Sequence, residues 1–313
     1  GIQFLHWKAL YASSMFKPFK VAACAASIAS ISMLAGCVTN VEGGHPDGWK
    51  QITPDEVPEI AAMVPEDIQA SGTLTIGTNP PFAPFEFKDS QGRMIGLEMD
   101  LGHALASVMG LEFQAQEQDF SMILPAVQAG TLDAGMSGFT DTEERRENFE
   151  FVNFLYAGIQ WATQPGSGVD PENPCGLTVA VQRTTVSETD DIRPKAEKCE
   201  EEGDPITILS YDTSDNAALA ALVGRADALS ADSPVSAWAV ERSDGQLELT
   251  GEMFDAAPYG IAVPKDSPLA DALAAAMQHL IDTGEYQRIL EQWNVETGLL
   301  DEALINEQPV GGH

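Results

Sequence analysis

The sequence predicts an α/β protein built as two lobes, and three observations carry that expectation. Strand-like and helix-like segments alternate, and the same order of segments occurs twice. Each copy passes through a matching lead-in to a short strand, Gly130-Thr-Leu-Asp-Ala134 and Gly224-Arg-Ala-Asp-Ala228. At 313 residues the chain also exceeds the size at which one hydrophobic core usually keeps growing.

Thr73-Leu-Thr-Ile-Gly-Thr78 and Leu177-Thr-Val-Ala-Val181 alternate like strands. Helical patterns follow over 97–109 and 185–198, then strands over 111–116 and 206–211. Residues 121–130 and 215–224 read as helices stopped by a Gly, which supplies the left-handed residue a helix end needs. After the second copy come a strand-like run over 257–264 and helices over 268–283 and 285–293. The apolar faces of those helices (Leu269, Leu273, Met277, Leu280; Ile289, Leu290, Trp293) need a lobe to cover. A return to the first lobe satisfies them, so strands near 158–163 and 259–263 are expected to cross between lobes as a hinge. The expected division is 72–160 and 258–300 for lobe 1, 161–257 for lobe 2, and a tail over 301–313.

The N-terminus reads as an address. Met15-Phe-Lys-Pro-Phe-Lys20 is a short basic region, and 21–34 is an apolar run of signal-peptide length, too short for a comfortable membrane span. It ends in Leu34-Ala35-Gly36-Cys37, which resembles the bacterial lipoprotein signal-peptidase site. That resemblance implies a signal peptide over 1–37, lipidation of Cys37, and anchorage to the outer face of the cell membrane. Residues 1–14 precede a candidate start at Met15. Residues 38–71, rich in Pro, Gly and acids, read as an acidic tether with one short helix. With Cys24 and Cys37 so used, Cys175 and Cys199 remain, and two cysteines in an exported domain favour a disulfide. Neither has a His or second Cys at ligand spacing, so no metal is expected.

The chain carries 48 acidic and 16 basic residues, a net charge of −32. Such a surface repels nucleic acid and anionic lipid, and no basic groove with interleaved aromatics offsets it. One segment points to a different partner. Ser137-Gly138-Phe139-Thr140-Asp141-Thr142-Glu143-Glu144-Arg145 follows the short strand at 132–136 and opens a polar helix. Backbone amides, a hydroxyl and a guanidinium converging at a strand's carboxyl end suit a carboxylate or phosphate.

With these motifs in order, the chain resembles an extracytoplasmic solute-binding protein of the polar amino-acid ABC-transport family (family 3, of the actinobacterial lipoprotein type). The resemblance covers 72–299. Besides the Ser137–Arg145 segment it rests on Asn79-Pro-Pro-Phe-Ala-Pro-Phe-Glu-Phe87, Gly96-Leu-Glu-Met-Asp-Leu101 and Asp119-Phe-Ser-Met-Ile-Leu-Pro125. Val179-Ala-Val-Gln-Arg-Thr-Thr-Val186, Ala226-Asp-Ala-Leu-Ser-Ala-Asp-Ser-Pro234 and Tyr259-Gly-Ile-Ala-Val263 complete it. It implies a type II periplasmic-binding-protein fold with a two-strand hinge. It also implies a monomer that closes on a free polar amino acid and delivers it to a permease–ATPase complex, without a cofactor.

The resemblance assigns roles residue by residue. Arg145 grips the ligand's α-carboxylate, helped by Thr140 and the backbone at Gly138, a charge-assisted contact of about 1.5–3 kcal/mol, and Ser137 joins the ligand-binding set. Thr185 makes a second carboxylate contact, although Thr185-Val-Ser-Glu188 also reads as a capping box. Asp232 receives the α-ammonium, although Ser233-Pro234 beyond it also suits a helix cap. Arg145 itself has the alternative of pairing with Asp141 along the helix. Asn79 and Gln182 select the side chain, and Phe82 and Phe120 sandwich it. Thr184 stands where the family usually has Gly, and Ala231 offers no side chain to read an amide. The neutral Asn79 favours a glutamine-like ligand. Two other readings stand beside this one: a dehydratase-like enzyme of the same fold using Glu86 or Asp119 as its acid, and a ligand-sensing module, for which the 301–313 tail is short.

Overall fold

The computed structural model describes residues 44–295 and 298–310, so the signal segment, Cys37 and 38–43 lie outside the described residues. Residues 44–71 are not a free tether. Two short helices, α1 (Pro58–Ala61) and α2 (Glu66–Ser71), lie against the first lobe, and Val64 and Ile68 are buried in its core. Val57 N–H donates to Val108 O at 2.9 Å, and the Trp49 indole N–H donates to Asp100 Oδ2 at 2.7 Å. The composition of this stretch is polar. Its few apolar residues, among them Ile52, Val57 and Ile60, are nonetheless spaced to pack on the core.

Lobe 1 begins with β1 (Thr73–Thr78), a small hairpin of β2 (Phe87–Lys88) and β3 (Met94–Ile95), and the buried helix α3 (Leu97–Val108). β4 (Glu112–Glu117), α4 (Phe120–Ala129), β5 (Ala134–Gly135) and α5 (Glu143–Arg146) follow. Gly130 ends α4 with φ 79°, the left-handed cap expected from sequence. The long strand β6 (Phe149–Thr163) then carries the chain into lobe 2. There β7 (Thr178–Gln182) leads to a π-helical segment, Ser187–Ile192, that continues as α6 (Arg193–Glu201). β8 (Thr207–Tyr211), α7 (Ser214–Leu222), β9 (Ala228–Asp232) and α8 (Ser233–Glu241) complete the second copy.

A second long strand, β10 (Glu248–Pro264), returns the chain to lobe 1. Helices α9 (Leu269–Asp282) and α10 (Glu285–Gln292) then cover lobe 1 with the expected apolar faces, and Leu273, Met277, Leu280, Ile289 and Leu290 are fully buried. The tail is ordered into a hairpin, β11 (Leu304–Ile305) and β12 (Gln308–Pro309), and Ile305 pairs with Val152 of β6.

The strand order is β4-β1-β5-β10-β6-β9-β7-β8. β1 runs parallel to β4 and β5, and β7 runs parallel to β8 and β9. Between these parallel groups, β6 and β10 pair antiparallel from Phe149↔Pro264 to Thr163↔Glu248. Their register shifts between Thr250 and Phe254, between Phe254 and Ala257, and again at Tyr259/Gly260. Bulges bend a strand pair, so the two lobes are joined by a crossing that is already bent.

Cys175 and Cys199 are bonded, with Cα atoms 5.2 Å apart, tying the entry to β7 to helix α6. Closing this 24-residue separation constrains the unfolded chain. Cys175→Ser with Cys199→Ser should lower the denaturant-derived unfolding free energy by about 3 kcal/mol. Wild-type stability under reducing conditions would contradict this.

Candidate ligand-binding site

The parallel strands of both lobes end at one place. β1 runs into Asn79, and β5 runs within two residues into Ser137 and Gly138. β7 ends on Gln182 and β9 on Asp232. The carboxyl ends of parallel strands are where open α/β sheets leave room for a ligand. The lobes meet across this region. Gln182 Nε2 donates to Asn79 Oδ1 at 2.8 Å, and Arg145 Nη2 donates to Thr184 O at 3.3 Å.

A narrow cavity here is lined by Phe82, Phe120, Ser137, Gly138, Thr140, Arg145, Gln182, Thr185 and Asp232. The structure therefore gathers nine of the ten residues anticipated from sequence; Val186, also on the wall, was not anticipated. Asn79 sits one step behind, its amide held between Gln182 and Gln118 O. A second narrow cavity shares Phe82, Gln182, Thr185 and Asp232 and adds Ser187, Ser214 and Ala231. Ser187 Oγ is buried and has no hydrogen-bond partner among the described residues.

Arg145 is placed by a local cap. Thr142 Oγ1 accepts Arg145 N–H at 3.2 Å, so α5 starts where the sequence changes from strand to acidic turn. The guanidinium donates through Nη1 to Thr140 O at 2.8 Å and lies over the Phe139 ring, 5.6 Å from its centroid. The helix-surface alternative falls to its neighbour: Arg146 Nε, not Arg145, bonds Asp141 Oδ1 at 2.5 Å. Burial lowers the Arg145 pKa, and Asp232 and Asp190 oppose that shift by charge. A guanidinium stays protonated regardless.

The loop that feeds Arg145 differs from expectation in one respect. Gly138 N–H is not free for an anion, because it donates to Glu98 Oε1 at 2.7 Å. Gly138 has φ 59°, and a Cβ there would stand 2.3 Å from the Phe82 ring. Only Gly fits that position. Thr140 bridges Tyr259 as an antiparallel pair whose bonds are Asp141 N to Pro258 O and Gly260 N to Phe139 O. Flanking bonds of that kind turn the N–H and C=O of Thr140 away from β10. Thr140 and Arg145 thus remain as the candidate anion-binding groups on the cavity wall.

Across the cleft, Asp232 precedes α8 but does not cap it with its side chain. Its carboxylate instead accepts the Tyr259 hydroxyl at 2.5 Å. Burial raises the Asp232 pKa to about 6, held back by the Tyr259 hydrogen bond and by Arg145. Tyr259 was read from sequence only as a hinge-strand residue. Thr185 Oγ1 donates to Gln182 O at 2.8 Å instead of capping its helix. Thr184, in the position the family gives to Gly, adopts φ 62°, which turns its carbonyl to the guanidinium of Arg145. Arg183 is exposed and pairs with Asp212 at 3.3 Å, away from the cavity.

A fixed cation and a fixed carboxylate face one cavity without bonding each other, because their partners are Thr140 O, Thr184 O and Tyr259. Residues 74–296 match the family described as bacterial extracellular solute-binding proteins, family 3. This chain belongs to that family. It is 67% identical over 293 residues to the arginine-binding protein ArgT of Corynebacterium glutamicum, covering 93% of this chain and 96% of that protein. Among solved structures it resembles an ancestral arginine-binding protein bound to arginine, with TM-score 0.66 and 32% identity over 71% of this chain and 98% of that one. The ancestral arginine-binding protein bound to glutamine gives TM-score 0.64 and 31% identity, covering 71% and 97%.

A ligand ammonium needs Asp232 ionised, so affinity for an amine-bearing ligand should fall as pH drops through about 6. The raised pKa also means that the fold favours the protonated form, and this stabilisation is lost as pH rises through about 6. Asp232→Asn should therefore bind ligand at least tenfold more weakly while melting above wild type at neutral pH, by roughly 2 kcal/mol of stability. Retained affinity in calorimetry would contradict the assignment.

Proposed function

We propose that this protein is the substrate-binding component of an ABC importer, lipid-anchored through Cys37, that captures L-arginine between its lobes. The observation that carries the amino-acid reading is the pairing of Arg145 in lobe 1 with Asp232 in lobe 2. An α-carboxylate meets Arg145 and Thr140, and the α-ammonium on the same carbon meets Asp232. Two charges one carbon apart are what an α-amino acid offers. Binding then bridges the lobes, and closure about the β6–β10 crossing is favoured by ligand contacts made to both sides.

The 67% identical relative, an arginine-binding protein, supports arginine as the ligand. The site chemistry is compatible with it. Phe82 and Phe120 offer aromatic faces to a planar guanidinium, which stacks on such rings more readily than an ammonium does. The amide oxygen of Gln182 and the unpartnered Ser187 hydroxyl supply acceptors for its N–H groups. The expectation of a glutamine-like ligand rested on Asn79 being neutral. A guanidinium between aromatic faces needs acceptors, not necessarily a carboxylate, so that argument weighs less than the kinship. Glutamine stays as the second reading because a similar ancestral protein holds it.

In a calorimetric comparison of arginine, glutamine, glutamate and lysine, arginine should bind most tightly. Arg145→Ala should weaken that binding at least tenfold, from the loss of about 1.5–3 kcal/mol. Tighter binding of glutamine would return the ligand to the second reading; wild-type affinity in the variant would remove the amino-acid reading itself.

A further inference from the structure

Behind the cavity wall lie two carboxyl side chains sealed from solvent. Glu86, between β1 and β2, and Glu98, in the first turn of α3, both have 0% exposure. Each is tied to the loop that leads to Arg145. Ser137 Oγ donates to Glu86 Oε1 at 2.5 Å, and Gly138 N–H donates to Glu98 Oε1 at 2.7 Å. Asn79 N–H in turn donates to Ser137 Oγ at 3.1 Å. The remaining oxygens, Glu86 Oε2 and Glu98 Oε2, have no hydrogen-bond partner among the described residues. Glu98 N–H donates to Phe85 O at 3.0 Å, so the two side chains reach the same loop side by side, and the charge of Glu98 raises the Glu86 pKa. Two like charges sealed side by side oppose each other's ionisation, so one of the pair carries a proton.

We propose that Glu86 and Glu98 are positioning residues, a buried carboxyl pair that holds one proton and thereby sets the Ser137 hydroxyl and the Gly138 peptide of the ligand loop. Burial raises both carboxyls, and the Gly138 N–H donated to Glu98 favours the charged form there, so the proton rests on Glu86. The groups facing the pair are Thr78 of β1, Ser137 beyond β5, Tyr259 of β10 and Asp232 of β9. The cation Arg145 acts on Asp232.

This arrangement reaches the site in two ways. Protonation of Glu86 leaves Glu98 as the carboxylate that holds Gly138 N–H. With φ 59° at Gly138, that bond selects one orientation of the peptide in the cavity wall. The proton also limits the pair to one negative charge. Glu98 already pushes the Asp232 pKa upward. A second charge beside it would push Asp232 further and weaken its hold on an ammonium.

The positioning role rests on reading 137–140 as the ligand loop, whereas the shared proton can be tested without any ligand. Infrared spectra of the full-length protein at about pH 8 should show a protonated carboxyl band that Glu86→Gln removes and Asp232→Asn leaves in place. A pKa raised in the folded state gives stability that is full at low pH and lost as pH rises through the folded value. Wild-type melting temperature should therefore decline, as pH rises above the ordinary carboxylate range, more steeply than that of Glu86→Gln. Glu86→Gln, a neutral donor of the same shape, should bind L-arginine within about threefold of wild type, and Glu86→Ala at least about tenfold more weakly. Absence of the band, a band that survives Glu86→Gln, or identical pH profiles would overturn the shared proton. Wild-type arginine affinity in Glu86→Ala would overturn the positioning role. Should that variant fail to fold, the spectra and pH profiles of Glu86→Gln decide alone. If arginine does not bind wild type, the ligand reading fails and the two ligand-independent measurements still stand.

Discussion

Everything in the cavity depends on keeping two opposite charges apart in a place with little water. A buried cation and a buried anion normally collapse onto each other, because each is costly to strand alone. Here each is given other partners. Arg145 spends its donors on two backbone carbonyls, one from each lobe, and Asp232 takes the Tyr259 hydroxyl. These partners are dipoles, not ions. They lower the desolvation penalty without cancelling the charge, so both groups remain able to reward a ligand that brings the complementary pair.

The scaffold serves that separation. Arg145 stands on a one-turn helix capped by Thr142, and Asp232 stands at the end of β9, in the opposite lobe. The bulged β6–β10 pair sets the distance between the two supports. Two left-handed residues, Gly138 and Thr184, aim the backbone at the cleft from opposite sides. On lobe 1, the network of Arg146, Asp141 and Asn153 holds the outer side of the loop, and the C-terminal hairpin reaches it through Glu307. In lobe 2, Glu188 accepts from Thr184 N–H and is itself paired with Arg193 and Ser210. The loops that carry Arg145 and Thr184 are thus each fixed from behind by buried polar groups.

Much of this was legible in the sequence, for a physical reason. Strand ends that face a ligand carry their site residues at fixed offsets from hydrophobic runs, and those runs set the offsets. The repeated Gly-x-x-Asp-Ala lead-in therefore located both β5 and β9, and with them the Ser137 loop and Asp232. The return of α9 and α10 to lobe 1 followed from their apolar stripes. What was not legible depends on contacts distant along the chain. Residues 44–71 read as a tether because partners such as Asp100, which takes the Trp49 indole N–H, lie 51 residues away. The Gly138 amide looked free because its acceptor, Glu98, lies 40 residues away. Tyr259 looked like a strand residue because nothing local records that its hydroxyl meets Asp232.

The central claim is that the site reads both α-substituents of one amino acid. Calorimetry with L-arginine, with agmatine, which lacks the α-carboxylate, and with the arginine analogue lacking the α-amino group tests it most directly. Each analogue removes the partner of one half of the clamp and leaves the guanidinium intact. Both should bind at least about tenfold more weakly than arginine, since each forfeits a charge-assisted contact and strands a buried charge. Agmatine binding as tightly as arginine would contradict the account.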